Sequence, residues 1–393
     1  MRSVVLPRPI VPRTVRWPGR RLAVATTIVC VVLLVLAGTH HGRTAVRTLF
    51  FLPEMFPNPP VRPLLLISAP PICEEQTLLY ADVQAIADLC VPQGAGPYGG
   101  LVLTLGVHPL PHDDPFLVRL SDGLARTNLA VLRVASPDLG AGRIVPREID
   151  GLVAAFRMLQ AHRPVDPRRV GFAGFSVGGA LATVAAADPR LRHEVRLVNS
   201  FGAYYDAFAV LRAITARRQS VGDSAEQWEP HPWTIHVFAE QIVGALPAGE
   251  EQDYLTALLS EDDQPPRDPP STLSPLGAMV QSLLAGEAVD GDALLAALPE
   301  ETRVAFARLS PATIVADLET PMYVMHDVGD HLVPYTESRR LVENLPPGVL
   351  QRYAEFHIFE HVYPRDPTQM LGLLPELVEL YGHLYAVFFE LTD

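Results

Sequence analysis

The chain has 393 residues, 48% hydrophobic and 19% charged, which suits a large buried core and excludes a disordered chain. Its formal net charge is −13, all 31 basic residues are arginine, and the first 50 residues hold eight of these and no acid. All 44 acidic residues therefore lie in the remainder, and so acidic a body argues against nucleic-acid binding, which needs a basic surface for phosphate.

Residues 1–21 are a basic segment, followed by the uncharged run "LAVATTIVCVVLLVLAG" from Leu22 to Gly38. As a helix this run would be about 25 Å long, within reach of a hydrocarbon core of about 30 Å if flanking residues snorkel. Trp17, Arg20 and Arg21 stand where interface anchors belong, and six arginines precede the run against two after it. The positive-inside rule then keeps the N-terminus cytoplasmic and exports the acidic body. Residues 22–39 are read as a transmembrane signal anchor; a secretory signal peptide cleaved at Val35-Leu36-Ala37 is the alternative. Of the three cysteines, Cys73 and Cys90 would both be exported, where either a disulfide or two separate thiols is permitted.

Residues 40–60 read as a proline-rich linker with a small apolar docking patch. "TLLYADVQAIADLCVP" alternates and breaks at Pro92, as a strand pair at a sheet edge does. Leu101–Leu105 and Leu129–Val134 are short, mostly apolar runs that predict central buried strands. "REIDGLVAAFRMLQAH" predicts an amphipathic helix, "RRVGFAGF" a third central strand, and the stretch after Ser176 a helix. Alternation of this kind predicts an α/β fold with a mostly parallel sheet and helices on both faces. Residues 61–205 form the first part of this core. Residues 206–310 change to helical periodicity around the acidic, proline-rich stretch Ser260–Pro275 and predict an inserted helical cap. Strand pattern resumes in residues 311–393, with a strand before "HDVGDHLVP", another at Gln351–Phe356, and a closing helix from Leu371 to Phe389.

The chemistry concentrates at Gly174-Phe175-Ser176-Val177-Gly178, a G-x-S-x-G sequence between a predicted strand and a predicted helix. A serine on so sharp a turn projects its hydroxyl from the top of a sheet, and the Val177 N–H at the helix start can meet an oxyanion. Without a partner acid and histidine, the same serine would be no more than an N-cap before a packing helix.

This stretch resembles the nucleophile elbow of the α/β-hydrolase fold, which requires serine, acid and histidine in that order along the chain. "HDVGDHLVP" resembles that fold's H-G-x-x-D-x-x-V-P loop, which implies Asp330 as the acid, with His326 in the histidine position and Asp327 in place of the usual glycine. A solvated turn is the plain reading of Asp327. His361, a few residues past the next strand in "FEHVYP", stands where the fold places its base; His357, at the strand end, is the alternative. "LGVHP" resembles the oxyanion turn, with Leu105 in place of the usual histidine, which implies the Val107 N–H as second donor and His108 as runner-up. The resemblance implies a serine hydrolase with a catalytic set of Ser176, Asp330 and His361, most plausibly for carboxylic esters, and a small ester or acyl substrate as its partner. A peptidase or acyltransferase on the same fold, and a non-catalytic binding protein, are the rival readings. No phosphate-binding, dinucleotide-binding or metal-ligand pattern stands out, so neither cofactor nor metal is expected.

Overall fold

The computed structural model describes Thr27 and residues 35–56, 59–107, 111–221, 224–260, 270–365 and 374–392. The expected membrane anchor therefore lies outside the described residues, apart from Thr27 and residues 35–39. No described helix is long and apolar enough to cross a membrane.

The first element corrects the expectation of a linker. Helix α1 (His40–Phe51) is capped by Thr39, whose hydroxyl accepts the Gly42 N–H at 3.0 Å. It lies along the last helix, α12 (Leu374–Leu391). Thr44, Thr48 and Phe51 fall on one face by helical spacing and are buried, and Phe51 meets Phe388 edge-on at 5.2 Å. Burying a phenylalanine contributes about 2–3 kcal/mol, enough to hold a helix that the following prolines made look extended.

Strands β1 (Ile72–Tyr80) and β2 (Val83–Val91) form an antiparallel hairpin. Its register puts Cys73 opposite Cys90, and the two are joined by a disulfide, which closes the alternative left open by the sequence. Next come β3 (Tyr98–Thr104), α2 (Pro115–Arg126), β4 (Leu129–Ala135), α3 (Glu148–Ala161), β5 (Val165–Phe175), α4 (Val177–Ala187) and β6 (Val198–Phe201). The strand β7 (Met322–Asp327), helix α11 (Thr336–Asn344) and strand β8 (Leu350–Phe356) complete the body. The sheet runs β1-β2-β4-β3-β5-β6-β7-β8, parallel from β4 to β8. Every residue of β3, β6 and β7 is buried, because helices cover both faces. One core layer lies between the sheet and α3 and α4; the other packs α1, α2 and α12 on the opposite face.

Between β6 and β7 the described residues form helices α5 (Ala207–Ala216), α6 (Pro232–Val243), α7 (Glu250–Leu259), α8 (Pro275–Leu284), α9 (Gly291–Ala297) and α10 (Glu300–Leu309). They continue the α3 and α4 core layer over the ends of the strands.

One buried acid in this body makes stability depend on pH. Glu148, only 4% exposed, sits at the start of α3 beneath the Tyr80 hydroxyl, 3.4 Å away. Burial pushes its carboxyl up from 4.5 to about 7. The folded protein therefore holds a proton there that the unfolded chain releases, so this contribution is present below pH 4.5 and lost as pH rises through 7. Glu148→Gln is expected to gain up to about 3 kcal/mol over wild type between pH 5 and pH 8. Denaturant unfolding at the two pH values checks this; a mutant-to-wild-type difference that stays constant with pH would contradict it.

Candidate active site

Ser176 follows β5 and opens α4 with φ 54° and ψ −129°, a left-handed conformation for a residue that carries a Cβ. Such strain costs on the order of 1–3 kcal/mol and persists only where the surroundings over-determine it. Here the Ser176 N–H donates to the Phe201 carbonyl at 2.8 Å, and the Ser176 carbonyl accepts from Gly179 N at 2.9 Å. Gly178 lets the elbow close: a Cβ there would lie 2.5 Å from the Leu105 carbonyl oxygen.

The acid follows β7, as the sequence predicts. Asp330 is buried, and both oxygens of its carboxylate accept from donors. Its Oδ1 accepts the N–H groups of Leu332 at 2.7 Å and Val333 at 2.9 Å. Its Oδ2 takes His361 Nδ1 at 2.5 Å and His326 Nε2 at 3.0 Å. Burial works to raise its pKa, but His361 and His326 outweigh that and hold the carboxyl well below the usual range. An ionised carboxylate with both oxygens occupied sets the proton of His361 on Nδ1 and leaves Nε2 bare.

His361 follows β8 and is 3% exposed, with φ 59°. Ser176 and His361 line one cavity together. His357 goes elsewhere: its side chain is 63% exposed, and Nδ1 lies 3.3 Å from Glu376 on α12. The structure thus brings His361, and not His357, to Asp330.

Asp327 corrects the reading of a solvated turn. It is fully buried, and its two oxygens accept the N–H groups of Gly329 at 2.9 Å and Phe359 at 2.8 Å. Burial pushes its carboxyl up to about 6. The acid that replaces the family's glycine therefore ties the histidine loop to the acid loop. His326 likewise has a place that its motif position did not reveal. Its Nε2 faces two acceptors, Asp330 Oδ2 and the Val333 carbonyl, so it carries a hydrogen, while Nδ1 pairs with Ser338 Oγ at 2.6 Å. Two tryptophans were missed altogether. Trp228 Nε1 donates to the Asp330 carbonyl at 2.8 Å, and Trp233 Nε1 to the Val107 carbonyl at 3.3 Å. Both precede or open α6, and only the folded cap brings them to these loops.

Val107 and Val177 flank the serine, and among the described residues neither N–H has a protein partner. His108 lies outside the described residues. The Val107 loop passes so close to the elbow that a Cβ on Gly106 would fall 2.7 Å from the Ser176 Cβ and 3.1 Å from its Oγ. Gly106→Ala is therefore expected to push the loop off the serine and lower kcat by about 10²–10³-fold, the cost of losing one oxyanion donor. Thermal unfolding should still report a folded protein; unchanged kcat would show that the loop does not serve the reaction.

No protein-family model matches the chain, and no curated protein matches it. Similar solved structures include a 2,6-dihydroxy-pseudo-oxynicotine hydrolase (18% identity, TM-score 0.49), covering 81% of this chain and 68% of that one. A puromycin-hydrolyzing peptidase of Mycobacterium tuberculosis is similar at 15% identity and TM-score 0.49, over 84% of this chain and 41% of that one. An acylaminoacyl peptidase of Pyrococcus horikoshii is similar at 13% identity and TM-score 0.48, over 84% and 43%. This chain thus spans less than half the length of either peptidase. Strand order, rather than these likenesses, settles the architecture: with one antiparallel hairpin leading a parallel sheet in the order β1-β2-β4-β3-β5-β6-β7-β8, and the serine on the turn after β5, the chain has the α/β-hydrolase fold.

Proposed function

We propose that this protein is a serine hydrolase of neutral carboxylic esters, exported and held at the membrane by its N-terminal segment. The observation that carries the reading is Ser176 on a strained elbow, sharing a cavity with a histidine whose Nδ1 is bound to a buried carboxylate. Ser176 Oγ attacks the acyl carbon as its proton passes to His361 Nε2, and the carbonyl electrons move onto oxygen. The N–H groups of Val107 and Val177 stabilise that oxyanion. Collapse breaks the bond to the leaving oxygen, which takes the proton from His361. Water then repeats the sequence on the acyl-enzyme and releases the acid and Ser176.

Esters are favoured over peptides because no aspartate, glutamate or arginine is among the described residues lining the two cavities at Ser176. A free peptide terminus taken out of water would find no opposite charge there. The Cys73–Cys90 disulfide and the arginine-rich start support the exported placement. A fluorophosphonate probe tests the reading: the folded protein is expected to be labelled on Ser176 and to hydrolyse p-nitrophenyl butyrate. A folded protein that neither labels nor turns over would overturn it.

A further inference from the structure

Two cavities meet at Ser176, and they differ in width and in access to the base. Val107, Ser176, Trp233 and Leu332 line both and form the partition. The cap-side cavity is about 60 Å³, walled by Val237 and Phe238 of α6 and by Phe306 and Leu309 of α10. The other is about 400 Å³, walled by Leu117 and Leu120 of α2, by Met55, and by Val362 and Tyr363. Only the wide cavity has His361 in its lining.

The reaction's geometry assigns the two. Once Ser176 has added, the acyl carbon carries the serine oxygen, the oxyanion, the leaving oxygen and the acyl substituent. The oxyanion faces Val107 and Val177. The leaving oxygen must receive the proton on His361, so it lies on the side that His361 lines. The acyl substituent is left with the narrow, cap-side cavity. Resting on the serine-hydrolase reading, we propose that the substrate is an ester of a slim, short acyl group with a bulky apolar alcohol. The acyl group occupies the slot under α6 and α10, and the alcohol occupies the wide cavity against α2. A cavity of about 400 Å³ lies in the range of roughly 300–1,000 Å³ that holds a drug-sized molecule, such as an alcohol of two or more fused rings. With no aspartate, glutamate or arginine in its described lining, it selects a neutral, apolar group.

The test moves one bulky group across the ester. In 2-naphthylmethyl acetate the ring lies on the alcohol; in ethyl 2-naphthylacetate it lies on the acyl side, with similar intrinsic reactivity. Full-length protein is expected to show kcat/KM at least about 100-fold higher for the first. Leu120→Trp fills the wide cavity, and Phe238→Ala opens the slot. Each is expected to shrink that ratio by about tenfold, the first by slowing the acetate and the second by speeding the naphthylacetate. The wild-type ratio decides the matter even if a variant fails to fold. A ratio near one, or a preference for ethyl 2-naphthylacetate, overturns the assignment; with Ser176 still labelled by the fluorophosphonate, the serine-hydrolase reading survives. A folded wild type with no labelling and no turnover overturns both.

Discussion

Ser176→Ala is expected to lower kcat by about 10⁴–10⁶-fold and to abolish fluorophosphonate labelling, while the protein stays folded. The size of the effect follows from where the hydroxyl sits. Nothing else in the described lining of either cavity offers a serine or cysteine nucleophile. The strain at Ser176, with φ 54°, belongs to the backbone and is held by the Phe201 carbonyl. Alanine keeps the Cβ and those hydrogen bonds, so it removes the chemistry without releasing the elbow. Stopped-assay kinetics on p-nitrophenyl butyrate, with circular dichroism as the folding control, checks the result. Retention of even a hundredth of wild-type turnover would place the nucleophile elsewhere.

His361→Ala is expected to be nearly as damaging, and His357→Ala to change turnover by less than about threefold. Nucleophile and base act as a unit, so removing either forfeits most of what both supply, and the double variant Ser176→Ala/His361→Ala should be no slower than Ser176→Ala alone. The contrast between the two histidines is one of environment. His361 is buried with Nδ1 2.5 Å from Asp330. His357 is mostly solvent-facing and pairs with Glu376, whose carboxylate also accepts its backbone N–H at 2.6 Å. Turnover of the two single variants side by side checks this. Full activity in His361→Ala, or a large loss in His357→Ala with the fold intact, would reverse the assignment.

Much of the body was legible because burial on both faces of a parallel sheet forces mostly apolar strands, and Leu101–Leu105 and Leu129–Val134, interrupted by Thr104 and Arg133, show that in plain composition. The elbow was legible for a local reason: a strand and helix can meet at a serine only if small residues lie beside it, and Gly178 records that need against the Leu105 carbonyl. Residues 40–51 misled, because their amphipathic face carries two threonines and one phenylalanine and is too weakly apolar to announce a helix without its partner α12. Asp327 misled for a related reason. A carboxylate in a turn is usually solvated, and the approach of Phe359 supplies the second N–H, beside that of Gly329, that makes its burial tolerable.

Taken alone, the sequence determined the order of the strands' patterns, the elbow at Ser176, and the placing of acid and histidine after later strands. These depend on residues near one another in the chain. Tertiary structure alone showed that His361, and not His357, meets Asp330, since both follow β8 and differ in what the fold brings against them. It also decided the cystine, the second histidine on Asp330, and the hold of Trp228 and Trp233 on the acid and oxyanion loops. The widths of the two cavities belong to the same class: each is the space left between helices distant in sequence, and no local pattern of residues encodes a gap between them.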